Sequence, residues 1–269
     1  MRSFKSKLFD SKMKNYSEIQ SISRSLNLEI KNEYIRLLDS NSHVINKFCE
    51  DHKYIYKYLP FERFLEVLHK KQLAFVSPTK WNDPFDNFLF KYKNEKSEIT
   101  FLNKLFVGCF TLNPHSQAYW KTYAPEGYSV RLQFETRKLF GLISKLKDRA
   151  WYGELNYKRE NEIVEIFQNT EGLKDSLEEK DINDIFLKVF TLKRKPFEYE
   201  KEVRIIIESN RIKEGIRKVN IELKDFISSI YLDPRIKTNE EIAFKEYLRH
   251  FGIKVTKSQL FQERKITIK

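Results

Sequence analysis

The chain has 269 residues, of which 41% are hydrophobic and 14% aromatic. That composition supplies apolar material for one large domain and excludes a wholly disordered chain, which is poor in aromatic residues. Lys and Arg number 50 against 38 Asp and Glu, a formal charge of +12, which favours an anionic partner such as nucleic acid or a phosphate-bearing ligand.

The charge is dispersed, with no arm of consecutive cations, so a Lys-rich background explains it equally well. The glycines, only 7 of them, never take the spacing of G-x-G-x-x-G or G-x-x-x-x-G-K-[ST]. A Rossmann fingerprint and a Walker A loop are therefore excluded. Cys49 and Cys109 form no C-x-x-C, which suits a reducing compartment, and the histidines show no metal-ligand spacing. No apolar run is long enough to span a membrane, and the basic start lacks the apolar region of a signal peptide. A cytoplasmic location is the expectation.

Residues 1–50 are polar, with apolar positions at Ile19, Ile22, Leu26, Ile30, Tyr34 and Leu37. That spacing predicts an amphipathic helical extension, packed on the main domain or on a protein partner. Residues 51–269 are expected to form a single domain. Tyr54–Tyr58 alternates as a strand, and Phe61, Phe64, Leu65 and Leu68 mark a helix ending in the cations His69–Lys71. A short strand at Leu73–Val76 runs into a loop of turn formers, Ser77–Asp86. Further strands are expected at Phe106–Thr111, Tyr128–Phe134, Trp151–Tyr157, Val203–Ile207, Val219–Leu223, Ile227–Leu232 and Lys254–Lys257. Helices are expected around 119–123, 137–148, over most of 159–192, and at 238–250. The elements alternate without regular βαβ repetition, so the class is α+β.

Four segments could carry chemistry. In Trp81-Asn82-Asp83-Pro84-Phe85-Asp86 the amide and carboxylates can fix a turn on their own backbone. Equally, the loop can form a pocket wall, with Trp81 or Phe85 as a stacking surface and Asn82 or Asp83 as a polar contact. Tyr119, Trp120 and Tyr123, near His115, are either core or a base-stacking platform. Glu198, Glu200, Glu202 and Arg204 recur at period two, which on a strand places them on one face. A carboxylate leading into a buried strand can sit at a cleft rim with a raised pKa, stabilising a cation or acting as a base. Asp233-Pro234-Arg235 reads as a turn. No Ser/His/Asp order or Cys nucleophile context is present.

Taken in order, these motifs resemble the bacterial domain-of-unknown-function 2971 family. The resemblance rests on Tyr56-Lys-Tyr58, Ser77-Pro-x-x-Trp81-Asn82-Asp83-Pro84-Phe85-Asp86 and Cys109-Phe110-Thr111 with Trp120-x-x-Tyr123-Ala124. It continues through Lys195-Pro-Phe197-Glu-Tyr199-Glu200-Lys-Glu202-Val-Arg204 and Ile230-Tyr-Leu232-x-Pro-Arg235. The family's layout is similar to mono-ADP-ribosyltransferases, particularly DNA-targeting toxins. That implies small mixed or antiparallel sheets around a cleft and NAD as the bound cofactor. By this resemblance Tyr56 and Tyr58 line the NAD pocket, and Ser77, Asn82 and Asp83 shape it. Trp120 or Tyr123 stacks on NAD, and Arg204 belongs to the same pocket. Glu202, with Glu200 beside it, bonds the ribose and stabilises positive charge as nicotinamide leaves. Tyr-x-Tyr stands where that class usually has His or Arg.

The resemblance implies a transferase or NAD glycohydrolase acting as a toxin or anti-phage effector on nucleic acid or protein. The alternative is a non-catalytic module of a defence or mobile-element system. Such a module would bind nucleic acid or a partner protein through Arg137, Lys138, Lys145 and Lys147.

Overall fold

The structure, a computed structural model, describes residues 42–44, 52–81, 83, 85, 86, 102–123, 127–173, 187, 188, 190–210 and 215–262. The strands are β1 (Ser42–Val44), β2 (Tyr54–Pro60), β3 (Gln72–Val76), β4 (Leu105–Thr111), β5 (Ser129–Glu135) and β6 (Arg149–Glu154). They continue with β7 (Asn156–Lys158), β8 (Leu192–Arg194), β9 (Glu202–Glu208), β10 (Ile216–Asn220), β11 (Ile227–Leu232) and β12 (Lys254–Lys257). The helices are α1 (Phe61–Lys70), α2 (Gln117–Tyr123), α3 (Thr136–Ile143), α4 (Glu160–Leu173), α5 (Leu223–Phe226) and α6 (Thr238–Arg249).

The α+β class holds. All strands but β7 and β8 belong to one 10-stranded sheet, and those two pair in parallel as a separate ribbon. The large sheet has two halves. In one, β4 pairs with β9 from Leu105↔Glu208 to Thr111↔Glu202, and β6 flanks the other side of β9. In the other, β2 pairs with β5 along its whole length, then β5 with β11, and β11 in parallel with β12. Between β2 and β4 the halves meet at a single pair, Tyr56↔Thr111. Beyond that pair the ladder opens. Lys57 reaches across the opening and donates to the Cys109 carbonyl at 2.8 Å, standing in for a strand donor.

Apolar side chains decide which strands lie centrally. Val203, Ile205 and Ile207 face the main core with Phe75, Phe106 and Phe134. Ile206 faces the other way, against Leu105, Val107, Trp151, Leu187 and Phe190. β9 is thus buried on both faces, which is why its sequence is a continuous apolar run rather than an alternating one. The β2 face turned away from the main core packs Tyr58 against Tyr119 and Trp120 of α2.

Several elements differ from the sequence expectations. The basic helix ends at Ile143, short of 148, and the strand expected across 151–157 is two strands, β6 and β7. Of residues 1–50, only 42–44 are described. Their backbone forms a strand parallel to β6 at the sheet edge, and the expected helix lies outside the described residues. Glu198 and Glu200 are not on a strand: Lys195–Glu200 is a 3-10 helix with Pro196 near its start. Proline fixes φ and removes a ladder donor there. Lys201, with φ 44°, then turns the chain into β9. The period-two face therefore contains only Glu202 and Arg204.

The turn after β11 proves to be an anchor. Asp233 is 0% exposed. Its carboxylate accepts from the Ser129 hydroxyl at 2.9 Å and from the Arg235 amide and guanidinium at 2.8–2.9 Å. Arg235 also donates to the Trp120 carbonyl at 2.9 Å, so one carboxylate ties β5, β11 and α2 together. Asp233→Ala strands a guanidinium and a hydroxyl and is expected to lower stability by about 3 kcal/mol. Urea denaturation of the variant checks this; an unchanged midpoint would refute the anchoring role.

Candidate active site

A cavity of about 510 Å³ occupies the opening between the two halves of the sheet. β2 contributes Tyr56, Lys57 and Tyr58, and β4 contributes Cys109, Phe110 and Thr111. α2 adds Tyr119, Thr122 and Tyr123, and the segment after β3 adds Lys80, Trp81, Asp83 and Asp86. Lys193 of β8, Glu200, and Glu202 and Arg204 of β9 close the cavity on the remaining side.

β9 brings charge into the middle of the sheet. Glu202 is 3% exposed and Arg204 1%. The Arg204 Nε donates to Glu202 Oε1 at 2.8 Å, Nη1 to the Phe190 carbonyl at 2.7 Å, and Nη2 to Asp86 Oδ1 at 2.9 Å. Its guanidinium also lies 4.7 Å from the centre of the Trp81 ring. The second oxygen of Glu202 accepts from Lys193 Nζ at 2.7 Å, and the same ammonium donates to Glu200. Each charge here is paired, as burial demands.

The pairing splits the two carboxylates. Burial alone would raise the Glu202 pKa, but Arg204 and Lys193 outweigh it and hold the group down to about 2. Glu200 shares Lys193, yet burial and the neighbouring Glu202 charge leave its pKa raised. Burial opposes the charge of Lys193, but Glu202, Asp86 and Glu200 keep it firmly protonated. Lys57 lacks such compensation and is pushed down by burial. Burial, with Glu202 nearby, lifts the Cys109 thiol to about 12, so it is not a nucleophile at neutral pH.

One wall is aromatic. The rings of Tyr58 and Tyr119 stack at 4.9 Å, and those of Tyr119 and Tyr123 at 5.7 Å. The Tyr119 hydroxyl donates to the Glu200 carbonyl at 3.2 Å, tying the stack to the acidic segment. Opposite, Asp83 accepts from the Phe85 amide at 2.8 Å and from Arg194 at 2.9 Å. Burial pushes Asp83 upward, but these contacts bring it below its usual range. It serves as both turn-former and wall.

The cavity unites most of the residues singled out in the sequence: Tyr56, Tyr58, Asp83, Tyr123, Glu200, Glu202 and Arg204. Ser77 and Trp120 do not line it. Ser77 is buried at the loop entrance, its hydroxyl 3.0 Å from that of Thr79. Trp120 is buried edge-on to Tyr58, with ring centres 4.8 Å apart. Asn82 lies outside the described residues. Sequence reasoning missed Lys57 and Lys193, and took Asp86 only as one of the carboxylates of the candidate wall loop. Two carboxylates entering a buried strand require a second cation, and that requirement was the available signal for Lys193. Among the described residues no cluster could hold a metal ion, and no helix is long and apolar enough to cross a membrane.

Glu202→Gln removes the anion that compensates two cations and is expected to cost about 3–5 kcal/mol at neutral pH. The folded-state pKa is depressed, so this stabilisation is present above 4.5 and lost as pH falls toward about 2. Denaturation of wild type and variant across that range should show the gap narrowing. A gap that stays constant would contradict the pairing.

Two solved structures are similar to this chain. They are Thermus sp. 2.9 DarT in complex with ADP-ribosylated ssDNA and the same protein in complex with NAD+. The first has 9% identity and a TM-score of 0.38, covering 79% of this chain and 97% of DarT. The second has 8% identity and a TM-score of 0.37, covering 79% and 98%. No curated protein matches. Residues 119–205, from Tyr119 through the Glu200–Arg204 segment, match the model of the family described as protein of unknown function (DUF2971). The resemblance read from the motifs is shown over that stretch.

Proposed function

We propose that the protein is an NAD-dependent ADP-ribosyltransferase or NAD glycohydrolase, an effector acting on nucleic acid or protein. The observation that carries this reading is the ionised Glu202, fixed by Arg204 and Lys193 on the wall of an aromatic cavity. The volume lies within the range of small-molecule sites. NAD would bring a glycosidic bond whose cleavage leaves positive charge on the ribose carbon. A carboxylate that stays charged and cannot reorient is the group needed to stabilise that charge. One Glu202 oxygen accepts from Arg204 and the other from Lys193, and a carboxylate oxygen can accept a further bond, such as one from a ribose hydroxyl. Glu200, with its raised pKa and a shared lysine, is the proton acceptor for an attacking hydroxyl or water. Tyr123, the exposed outer ring of the Tyr58–Tyr119–Tyr123 stack, and Trp81 supply flat surfaces for a planar ring.

Calorimetry with NAD and an assay of nicotinamide release, with and without single-stranded DNA, test the proposal. Glu200→Gln is expected to slow turnover about 100-fold or more while NAD affinity changes little. A wild-type protein that neither binds NAD nor releases nicotinamide would defeat the reading.

A non-catalytic nucleic-acid-binding role has its own support. Arg137, Lys145 and Lys147 are exposed, and no ion pair holds them among the described residues. Lys138 pairs with Glu135 at 2.9 Å. If these cations neutralise phosphates, reversing Arg137, Lys145 and Lys147 to Glu should weaken binding to single-stranded DNA. The slope of log affinity against log salt should also fall, by about 0.7 for each phosphate no longer neutralised. Equal binding at low and moderate salt would exclude this surface.

A further inference from the structure

Arg131 is 3% exposed, and its Nε and one Nη have no hydrogen-bond partner. It sits in the centre of β5, in register with Tyr58 on β2 and with Tyr231 on β11. Among the described residues no carboxylate faces it; the groups that favour its charge are the hydroxyls of Tyr58, Tyr231 and Tyr56, with a hydrogen bond to Tyr231. Two other cations of the cavity, Arg204 and Lys193, are compensated by carboxylates, whereas Lys57 has the Cys109 carbonyl alone. An uncompensated guanidinium in a buried sheet face is costly, and a plain hydrocarbon side chain would fill the same space without that cost.

The surroundings leave the guanidinium ready for an oxyanion. The Tyr231 ring covers it at 4.0 Å and the Tyr56 ring lies at 5.1 Å. The rings lie over the guanidinium, and its unpartnered Nε and Nη1 donors, closed to solvent, are the groups that a phosphate or carboxylate fork would satisfy. Tyr56 is itself a wall of the 510 Å³ cavity, and both tyrosines are only partly buried. Arg131 does not line the cavity itself but lies behind its Tyr56 wall.

We propose that Arg131, framed by Tyr56 and Tyr231 behind the Tyr56 wall of the cavity, is a phosphoryl-binding site. It rests on the nucleotide reading of the cavity for the source of the phosphoryl group, though the oxyanion chemistry stands on Arg131 alone. A nucleotide and a nucleic-acid backbone offer the same oxygens.

The probe is inorganic pyrophosphate, titrated into wild type, Arg131→Gln and Arg131→Lys by calorimetry, with melting temperature as the fold control. Wild type is expected to bind, Arg131→Gln to bind about tenfold or more weakly, and Arg131→Lys to lie between. Arg131→Gln should melt close to wild type, because the cation–π contacts it loses with Tyr56 and Tyr231 are offset by removing a buried charge that no carboxylate compensates. Pyrophosphate binding that is absent from wild type, or unchanged in Arg131→Gln, would overturn the proposal. So would a large loss of melting temperature without any change in affinity, which marks a purely structural stacking plate. If Arg131→Gln fails to fold, unchanged affinity in Arg131→Lys is equally decisive against it. Competition then separates the sources. Displacement of pyrophosphate by NAD assigns the site to a nucleotide. Displacement by single-stranded DNA and not by NAD leaves the Arg131 assignment intact and removes NAD from this site.

Discussion

The buried ion pair between Glu202 and Arg204 is the interaction on which the rest of the cleft depends. Both residues sit on β9, in the middle of a sheet half whose other inward positions are apolar. Neither charge is tolerable there alone. Arg204 distributes its donors over Glu202, the Phe190 carbonyl and Asp86, and lies beside Trp81. One guanidinium thus holds the strand, the segment before β8 and the segment after β3 in a fixed relation. Lys193 adds the second cation and draws Glu200 into the same cluster.

That cluster has room because the sheet is split. Had β2 and β4 paired throughout, the space now lined by Tyr58, Cys109 and Thr111 would be filled by backbone hydrogen bonds. The split sacrifices ladder bonds, and Lys57 replaces one of them from a side chain. The two halves do not separate further, because they share one apolar core in which Ile55 and Phe134 of one half meet Phe106 and Phe110 of the other. The ring contact between Phe110 and Phe134, at 5.6 Å, crosses the divide directly. A rigid core beneath and an open ladder above give a cleft whose walls are preorganised.

The strands were legible in the sequence wherever burial imposed a pattern. β2 and β5 alternate because each has one face in the core, and β9 runs apolar because it has two. The 3-10 helix at Lys195–Glu200 was not legible, because alternating Glu residues imitate a strand when read by spacing alone. Pro196 was the only dissenting signal. In the site, Glu202 and Arg204 were readable from their entry into an apolar run. Lys193 was not, since its role arises from a pairing of β7 and β8 that no local pattern announces. Trp120 shows the converse error of rank: its size and neighbours suggested a stacking surface, but it is the largest fully buried side chain among the described residues.

The scarcity of glycine acquires a physical meaning here. Nucleotide sites built on glycine-rich loops present backbone N–H groups to phosphates. This cleft presents side chains instead: tyrosine rings, carboxylates held by cations, and the Arg204 guanidinium beside the Trp81 ring. Its charges are also close to balanced. Glu200, Glu202, Asp83 and Asp86 face Lys57, Lys80, Lys193 and Arg204 across one cavity. The excess of +12 on the chain therefore lies elsewhere and does not define the pocket. Because Glu200, Glu202 and Asp86 each have Lys193 or Arg204 beside them, the pocket exerts no bulk attraction on an anion, and discrimination among ligands falls to the placement of single groups.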